Sequence, residues 1–491
     1  MQALPQGASP ESPRHYHLIG IGGTAMASLA GLLTEAGYPV TGSDENVYPP
    51  MSDRLREMGI VYAEGYSPSN LEPRPDVVVV GNAIMRGNAE LETLLREKLQ
   101  YTSAAVVLKE LFLRGRHSLA VAGTHGKTTT ASLLAWLMES AGLNPSFLIG
   151  GVAENFGTSY RLTDSRYFVI EADEYDTAYF DKGPKMWHYL PDTAVVNNIE
   201  FDHADIYRDD EAYRFAFARF INLIPDNGTL VAGWDSPIVR QLSAKSFAPV
   251  ESFGYEPEGA EAAGRGDHPR WIARDVQFGE TTTGFTVVHD GTVWGDVESP
   301  LAGAFNVRNM LAAIAAAHAI GADPSRVREG LRTFRSVRRR MEERGTVGGV
   351  TVIDDFAHHP TAVRETIAAA RQRYRGRPII AVFEPRSYTA QRRDFQQPYL
   401  EALSGADEVI LAGLHHPERY GAGSALDPAE LASELKQRGL RAAYIPEVEA
   451  IVRDVTPRLT MNEVILVMSN GGFGGIHEKL LAALRQASSR S

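Results

Sequence analysis

The chain is 491 residues long, 44% apolar and 22% charged, enough to bury several cores and to build about three domains of ordinary size. Its 49 Lys and Arg against 61 Asp and Glu leave a net charge of −12, a field that opposes nucleic acid and anionic membrane surfaces but leaves room for local basic pockets. The absence of cysteine excludes disulfides, iron–sulfur clusters and thiolate zinc sites, so histidine, carboxylate and hydroxyl groups remain as metal ligands.

The first residues, MQALPQGASPESPRH, have neither the basic nor the apolar stretch of a signal peptide, and no apolar run reaches membrane-spanning length. A short disordered leader and a cytoplasmic location are the expectation. Short β-branched runs then alternate with helical patterns, which predicts an α/β fold of parallel sheets wrapped by helices. Strands are expected at His17–Ile21, Asp76–Val80, Ser118–Ala122, Tyr167–Glu171, Thr193–Asn197, Val350–Asp354, Pro378–Phe383, Glu408–Leu411 and Glu463–Met468. Breaks around Leu113–His117 and the basic run Arg335–Arg344 divide the chain into domains at 1–117, 118–336 and 337–491. Alternation around glycines in Glu251–Val297 suggests an antiparallel insertion in the middle domain.

The first domain opens with HLIGIGGTAMASLAGLLTEAGYPVTGSD, a strand, glycines at 20, 22 and 23, a helix from Thr24, and a second strand ending at Ser43 and Asp44. This is a G-x-G-x-x-A form of the dinucleotide fingerprint, in which glycines let the backbone approach a diphosphate at a helix N-terminus. Read alone it suggests NAD and a dehydrogenase, or glycines present only for tight packing.

The second domain opens with a strand that feeds Gly123, Thr124, His125, Gly126, Lys127, Thr128 and Thr129. Backbone N–H groups of such a loop cradle phosphates, Lys127 reaches the terminal ones, and Thr128 stands where Mg²⁺ is normally held. Val121 occupies the place where the usual pattern asks for its first glycine. Leu133, Leu134, Leu137 and Met138 mark the buried side of the following helix. Farther on, EADEYD places Glu171 at a strand end with Asp173, Glu174 and Asp176 behind it, and NNIEFDH places Asn197, Asn198, Asp202 and His203 beyond another. Ligands bind at these strand ends in parallel sheets, so the three motifs can share one crevice.

GTHGKTTT, EADEYD, NNIEFDH, FNVRN, RRR and DDFAHHP occur in this chain in the order found in the Mur ligase family, which the sequence resembles over nearly its whole length. The family's loop is a GTxGKTT variant, which accounts for Val121. The resemblance implies a three-domain architecture: an N-terminal Rossmann-like domain for a UDP-sugar, a central P-loop ATPase-like domain, and a C-terminal Rossmann-like domain that closes over ATP and receives the incoming amine. It implies ATP and Mg²⁺, with Lys127 on the β- and γ-phosphates, Thr128 and Glu171 on one Mg²⁺, and Glu171 with His203 on a second. Gly20, Gly22, Gly23, Thr24, Ser43 and Asp44 then become the UDP-sugar site.

The nucleotide base and ribose are expected at Asn306, Asn309, Asp355 and His358, although Asn is also a good helix N-cap. Of Arg338, Arg339 and Arg340, the family motif favours Arg339 for the γ-phosphate; a solvated charge run is the other reading. Arg386 in EPRS can bind a carboxylate of the incoming peptide or form a surface ion pair. His415, His416 and His477 read as polar loop residues. GSDENVYPPMSDRL, FDKGPKMWHYLP, FEPRSYTAQ and MSNGGFGGIHEKLL resemble the branch of the family that joins UDP-N-acetylmuramate to the murein tripeptide L-alanyl-γ-D-glutamyl-meso-diaminopimelate in peptidoglycan recycling, whereas the other candidate branch adds L-alanine. Nothing in the sequence fixes the oligomeric state.

Overall fold

The computed structural model describes residues 14–47, 51–204, 206–255, 268–421 and 423–488, so nearly all of the expected leader, and part of the expected insertion, lie outside the described residues. Three large sheets follow one another along the chain, and a two-stranded hairpin, Asp176–Ala178 with Asp181–Pro184, stands beside the second. The first is fully parallel, in the order Val61–Glu64, Val40–Asp44, Tyr16–Ile19, Val77–Val80, Tyr101–Ser103. Its all-valine strand is buried throughout, as a strand covered on both faces should be.

The second sheet has ten strands. Its parallel part runs from Trp271–Phe278 through Val250–Tyr255, Thr229–Gly233, Thr193–Val196, His117–Ala122 and Tyr167–Glu171 to Ser146–Ala153. The expected insertion is thus corrected: Val250–Tyr255 continues the parallel ladder, and antiparallel pairing begins where Trp271–Phe278 meets Thr283–His289 and Thr292–Ser299. The third sheet is parallel except at one edge, in the order Glu342–Val347, Val350–Asp355, Val464–Met468, Ile379–Phe383, Glu408–Leu411, Arg441–Tyr444.

Two close approaches lock the sheets' helices together. Helix Lys127–Ser140 buries Leu133, Leu134, Leu137 and Met138 completely, each contributing about 1.5–3 kcal/mol of apolar transfer. Gly330 on helix Pro324–Thr333 lets it come near, since a Cβ there would lie 2.9 Å from Leu137. Gly31 in helix Thr24–Glu35 does the same between the first and second sheets, where a Cβ would overlap the Tyr160 ring at 2.1 Å. Ser28 and Ser159 hydroxyls meet at 2.9 Å beside it, and the Leu162 amide donates to Glu35 at 2.9 Å. Between the second and third sheets, Ala153 bridges Val337 and the Glu154 amide donates to the Ser336 carbonyl at 3.1 Å. These contacts set how the carboxyl ends of the second and third sheets face each other.

Candidate active site

Strand His117–Ala122 lies between Thr193–Val196 and Tyr167–Glu171, with Val121 paired to Val195 and to Glu171. Val121 is wholly buried within the ladder, so the loop begins two residues later, at Gly123. Gly123 and Gly126 both take positive φ, +131° and +82°. A Cβ on Gly126 would lie 2.4 Å from Asn309 Oδ1, so the turn is also closed against helix Ala304–Ala319. The NNIEFDH segment is sewn to the same loop. Asn198 Oδ1 accepts the His125 amide at 2.8 Å, Asn197 donates to Thr130 at 3.0 Å, and Thr124 Oγ1 donates to the Glu200 carbonyl at 2.9 Å. The three motifs therefore meet in one crevice.

Two carboxylates stand inside it. Glu171 accepts the Thr128 hydroxyl at 2.9 Å and the Gly150 amide at 2.7 Å; burial pushes its carboxyl up, with Lys127 and Arg340 pulling the other way. Glu174, which the sequence places behind Glu171 without a role of its own, is fully buried. It takes Lys127 Nζ at 2.8 Å, His203 Nε2 at 3.1 Å and the Tyr213 hydroxyl at 3.2 Å. Burial pushes the Glu174 carboxyl upward, but Lys127 and His203 outweigh it and hold it down to about 2. Burial opposes the charged form of His203, and Glu174 overrides it to raise the imidazole above its ordinary value. His203 is expected with Glu171; the structure gives it Glu174, whose carbonyl also accepts the Tyr207 hydroxyl at 2.5 Å. Lys127 also folds back onto the Gly123 carbonyl at 2.6 Å, a contact that incoming phosphates would replace.

The arginine run divides into three tasks. Arg338 reaches out to Glu154 at 2.6 Å, with Arg338 exposed and Glu154 half-buried. Arg339 was expected at the phosphates, but its guanidinium donates to the Ser469 and Gly471 carbonyls at 2.6 and 2.7 Å, tying it into the third domain. Arg340 is the one that points across the crevice, with Nη2 3.5 Å from Thr128 Oγ1 and its guanidinium over Phe356. The positive φ of Arg339, +61°, turns the chain between the two.

Other expected residues are placed as follows. Asn306 is not an N-cap: Gly303 holds that position, and Asn306 donates to the Ala302 carbonyl at 2.7 Å and accepts from Asn309 at 3.0 Å. Asp355 is buried and departs from its expected ribose role, spending its oxygens on the Met341 and Ala357 amides and the Thr366 hydroxyl. His358 is held by the Phe356 carbonyl at 3.0 Å and lowered by burial. At the first domain's turn, Gly20 has φ +85° and the Gly22 amide donates to Asp44 at 2.8 Å, while Gly23 and Thr24 are exposed. Ser43 departs from the expected substrate role, since it is buried and donates to Glu90 at 2.5 Å. His477 is not a loop residue: it lies on helix Ile476–Ser488, buried, 3.3 Å from Asp354.

An all-oxygen pair, Thr128 and Glu171, beside a phosphate-type loop fits a hard divalent cation such as Mg²⁺, and His203 with Glu174 offers a second, mixed donor set. Three family descriptions match in succession: Mur ligase family, catalytic domain over residues 15–116, Mur ligase middle domain over 121–317, and Mur ligase, glutamate ligase domain over 339–471. The chain belongs to the Mur ligase family. It is 42% identical over 470 residues, 95% of its length and 98% of the relative's, to the UDP-N-acetylmuramate-L-alanyl-γ-D-glutamyl-meso-2,6-diaminoheptandioate ligase of Escherichia coli K12. It is 32% identical to the UDP-N-acetylmuramate-L-alanine ligase of Acetivibrio thermocellus, with 96% of each chain covered. The crystal structure of a murein peptide ligase from Psychrobacter arcticus 273-4 superposes with a TM-score of 0.70 at 35% identity, covering 96% of this chain and 98% of that one. Among the described residues, no helix is long and apolar enough to cross a membrane.

Proposed function

We propose that this chain is an ATP-dependent ligase that joins the lactyl carboxylate of UDP-N-acetylmuramate to the amine of L-alanyl-γ-D-glutamyl-meso-diaminopimelate, a step of peptidoglycan recycling. The observation that carries the reading is the 42% identity across almost the full length of a ligase of that name, set against 32% for an L-alanine ligase. In this reading the substrate carboxylate attacks the γ-phosphorus of ATP, ADP leaves, and the peptide amine then attacks the acyl phosphate carbon and expels phosphate. No enzyme nucleophile is needed; orientation and charge neutralisation supply the rate.

The residues divide the work. The loop amides from Gly123 to Thr128 and the Lys127 ammonium hold the phosphates, and Arg340 neutralises charge from the opposite wall. Glu174 keeps Lys127 and His203 in place before substrates arrive. Thr128 and Glu171 would hold one Mg²⁺ and His203 with Glu174 a second, and such an ion would supply Lewis-acid neutralisation of phosphoryl charge. Asn306 and Asn309 border the loop where the nucleotide base would lie, His358 faces it from the third domain, and the turn at Gly20, Gly22 and Gly23 would receive the UDP diphosphate, with Asp44 beside it facing the rest of the UDP-sugar.

The test offers Mg·ATP and UDP-N-acetylmuramate with L-alanine or with the tripeptide in separate reactions, reading ADP release and product mass. ADP and a tripeptide-bearing product in the second reaction alone is the expected result. Turnover with L-alanine alone would overturn the choice of acceptor.

A further inference from the structure

Beside the phosphate loop stands a group of metal-ligating side chains that the chemistry above leaves without a task. His125 lies in the loop itself, Glu200 follows strand Thr193–Val196, and His359 is the N-cap of helix Pro360–Arg373 in the third domain. One nitrogen from each imidazole and one oxygen of the Glu200 carboxylate all lie within 4.8 Å of one another. Among the described residues, no other three histidines and carboxylates gather their donor atoms this closely.

The distances suit a four-coordinate ion. Metal–ligand bonds of about 2.0–2.2 Å at tetrahedral angles place neighbouring donors about 3.3 Å apart. Glu200 Oε2 is 3.0 Å from His125 Nε2 and 3.6 Å from His359 Nδ1, values on either side of that edge. The two imidazole nitrogens are no more than 4.8 Å apart, a gap that side-chain rotation closes. Hydrogen bonding accounts for only one of the contacts. His125 Nε2 donates to Glu200, but His359 Nδ1 accepts the Thr361 amide at 3.3 Å and so carries no proton. It therefore faces the Glu200 oxygen acceptor to acceptor. A cation between them replaces that repulsion with two bonds, at the expense of one long capping contact.

The ligands are held from outside, as a preorganised site requires. The His125 amide donates to Asn198 Oδ1 at 2.8 Å, and its carbonyl accepts Asn198 Nδ2 at 3.2 Å. The Glu200 amide donates to Thr124 Oγ1 at 2.9 Å, and the His359 ring packs edge-on against Phe395. Both imidazoles are mostly buried while the Glu200 side chain is 41% exposed, so an ion arriving from solvent meets the carboxylate first. Two imidazoles and one carboxylate favour a borderline-soft cation of the Zn²⁺ class, whereas Mg²⁺ prefers the oxygens of Thr128 and Glu171.

We propose that His125, Glu200 and His359 form a site for a Zn²⁺-class divalent cation, separate from the Mg²⁺ positions, that clasps the third domain to the phosphate loop. The experiment titrates Co²⁺, a coloured stand-in for Zn²⁺, into the chelator-treated full chain in saturating Mg²⁺, for wild type, His359→Asn and Glu200→Gln, reading visible absorption and melting temperature. Wild type should take one equivalent, show the intense visible bands of four-coordinate Co²⁺, and melt higher as the ion fills the site. Loss of a supporting partner alone costs a metal site about 10–100-fold, so either substitution should weaken Co²⁺ at least about tenfold and remove the melting shift. Asn keeps a cap on helix Pro360–Arg373 and Glu200→Gln leaves that cap untouched, and the metal-free melt of each variant shows that it is folded. One equivalent retained by both variants would put the ion at His203 and Glu174 and overturn the clasp. Several weak equivalents, or no intense bands in wild type, would overturn it as well. None of these readings needs turnover, so the result stands apart from the ligase reading.

Discussion

The two glycine turns of this chain, at Gly20–Gly23 and Gly123–Gly126, share a layout of strand, glycines and helix yet are surrounded very differently. In the first, Asp44 from the neighbouring strand accepts the Gly22 amide and no lysine follows. In the second, Lys127 opens the helix, two carboxylates and a histidine face it, and Arg340 approaches from another domain. A glycine turn says that a phosphate backbone can come close; the charges around it decide whether the phosphate is only held or also transferred.

The largest test of that difference is Glu174→Ala. It leaves Lys127 and His203 without their shared buried partner, so stability should fall by about 3–5 kcal/mol in a denaturant titration, and ATP turnover should fall with it. A loss below about 1 kcal/mol would mean that the second turn needs no prearranged charge.

A smaller effect concerns the contact that brings the third domain to the same loop. His359 Nδ1 lies 3.6 Å from Glu200, which also holds His125 at 3.0 Å. Burial first, and then His125, lowers His359 to about 4, and because its folded value lies below its unfolded one, its contribution is present above about 6.5 and is lost as pH falls through 4. Glu200, held to about 2 by His125 against the upward push of burial, loses its contribution at lower pH, from about 4.5 down to 2. Thermal scans should therefore show stability falling by about 2 kcal/mol between pH 6.5 and 4. His359→Asn keeps a side chain able to cap helix Pro360–Arg373 and should flatten that fall. An equal slope in the variant would place the titration elsewhere.

The arginine run gives the smallest and sharpest contrast. Arg338→Ala removes a half-exposed pair and should change stability and turnover by less than about 0.5 kcal/mol. Arg340→Ala should leave folding nearly unchanged but lower kcat at least tenfold, measured by ADP release. The reverse ranking would return the phosphate role to another arginine.

What the sequence made legible was contiguous. GTHGKTTT, the buried strand before it, and the strand ends at Glu171 and Val196 are local patterns with local causes, and they stand where they were expected to within a residue or two. Edge strands such as Val61–Glu64 and Arg441–Tyr444 went unseen because they are short and half exposed, with no continuous apolar run. Glu174 was visible but not distinguishable from Asp173 and Asp176, since its partners Lys127, His203 and Tyr213 lie far from it in the chain. The choice between Arg339 and Arg340 depends on left-handed backbone at Ser336, Arg339 and Met341 and on the bridge from Ala153 to Val337, neither of which a charge run reveals.

The claim that the two turns hold two different nucleotides is tested most directly by calorimetric titration of UDP-N-acetylmuramate, and separately of a non-hydrolysable Mg·ATP analogue, into wild type, Asp44→Asn and Lys127→Met. The account predicts that both ligands bind wild type together, that Asp44→Asn weakens only the UDP-sugar, and that Lys127→Met weakens only the ATP analogue. Competition between the two ligands, or a single variant that loses both, would contradict it.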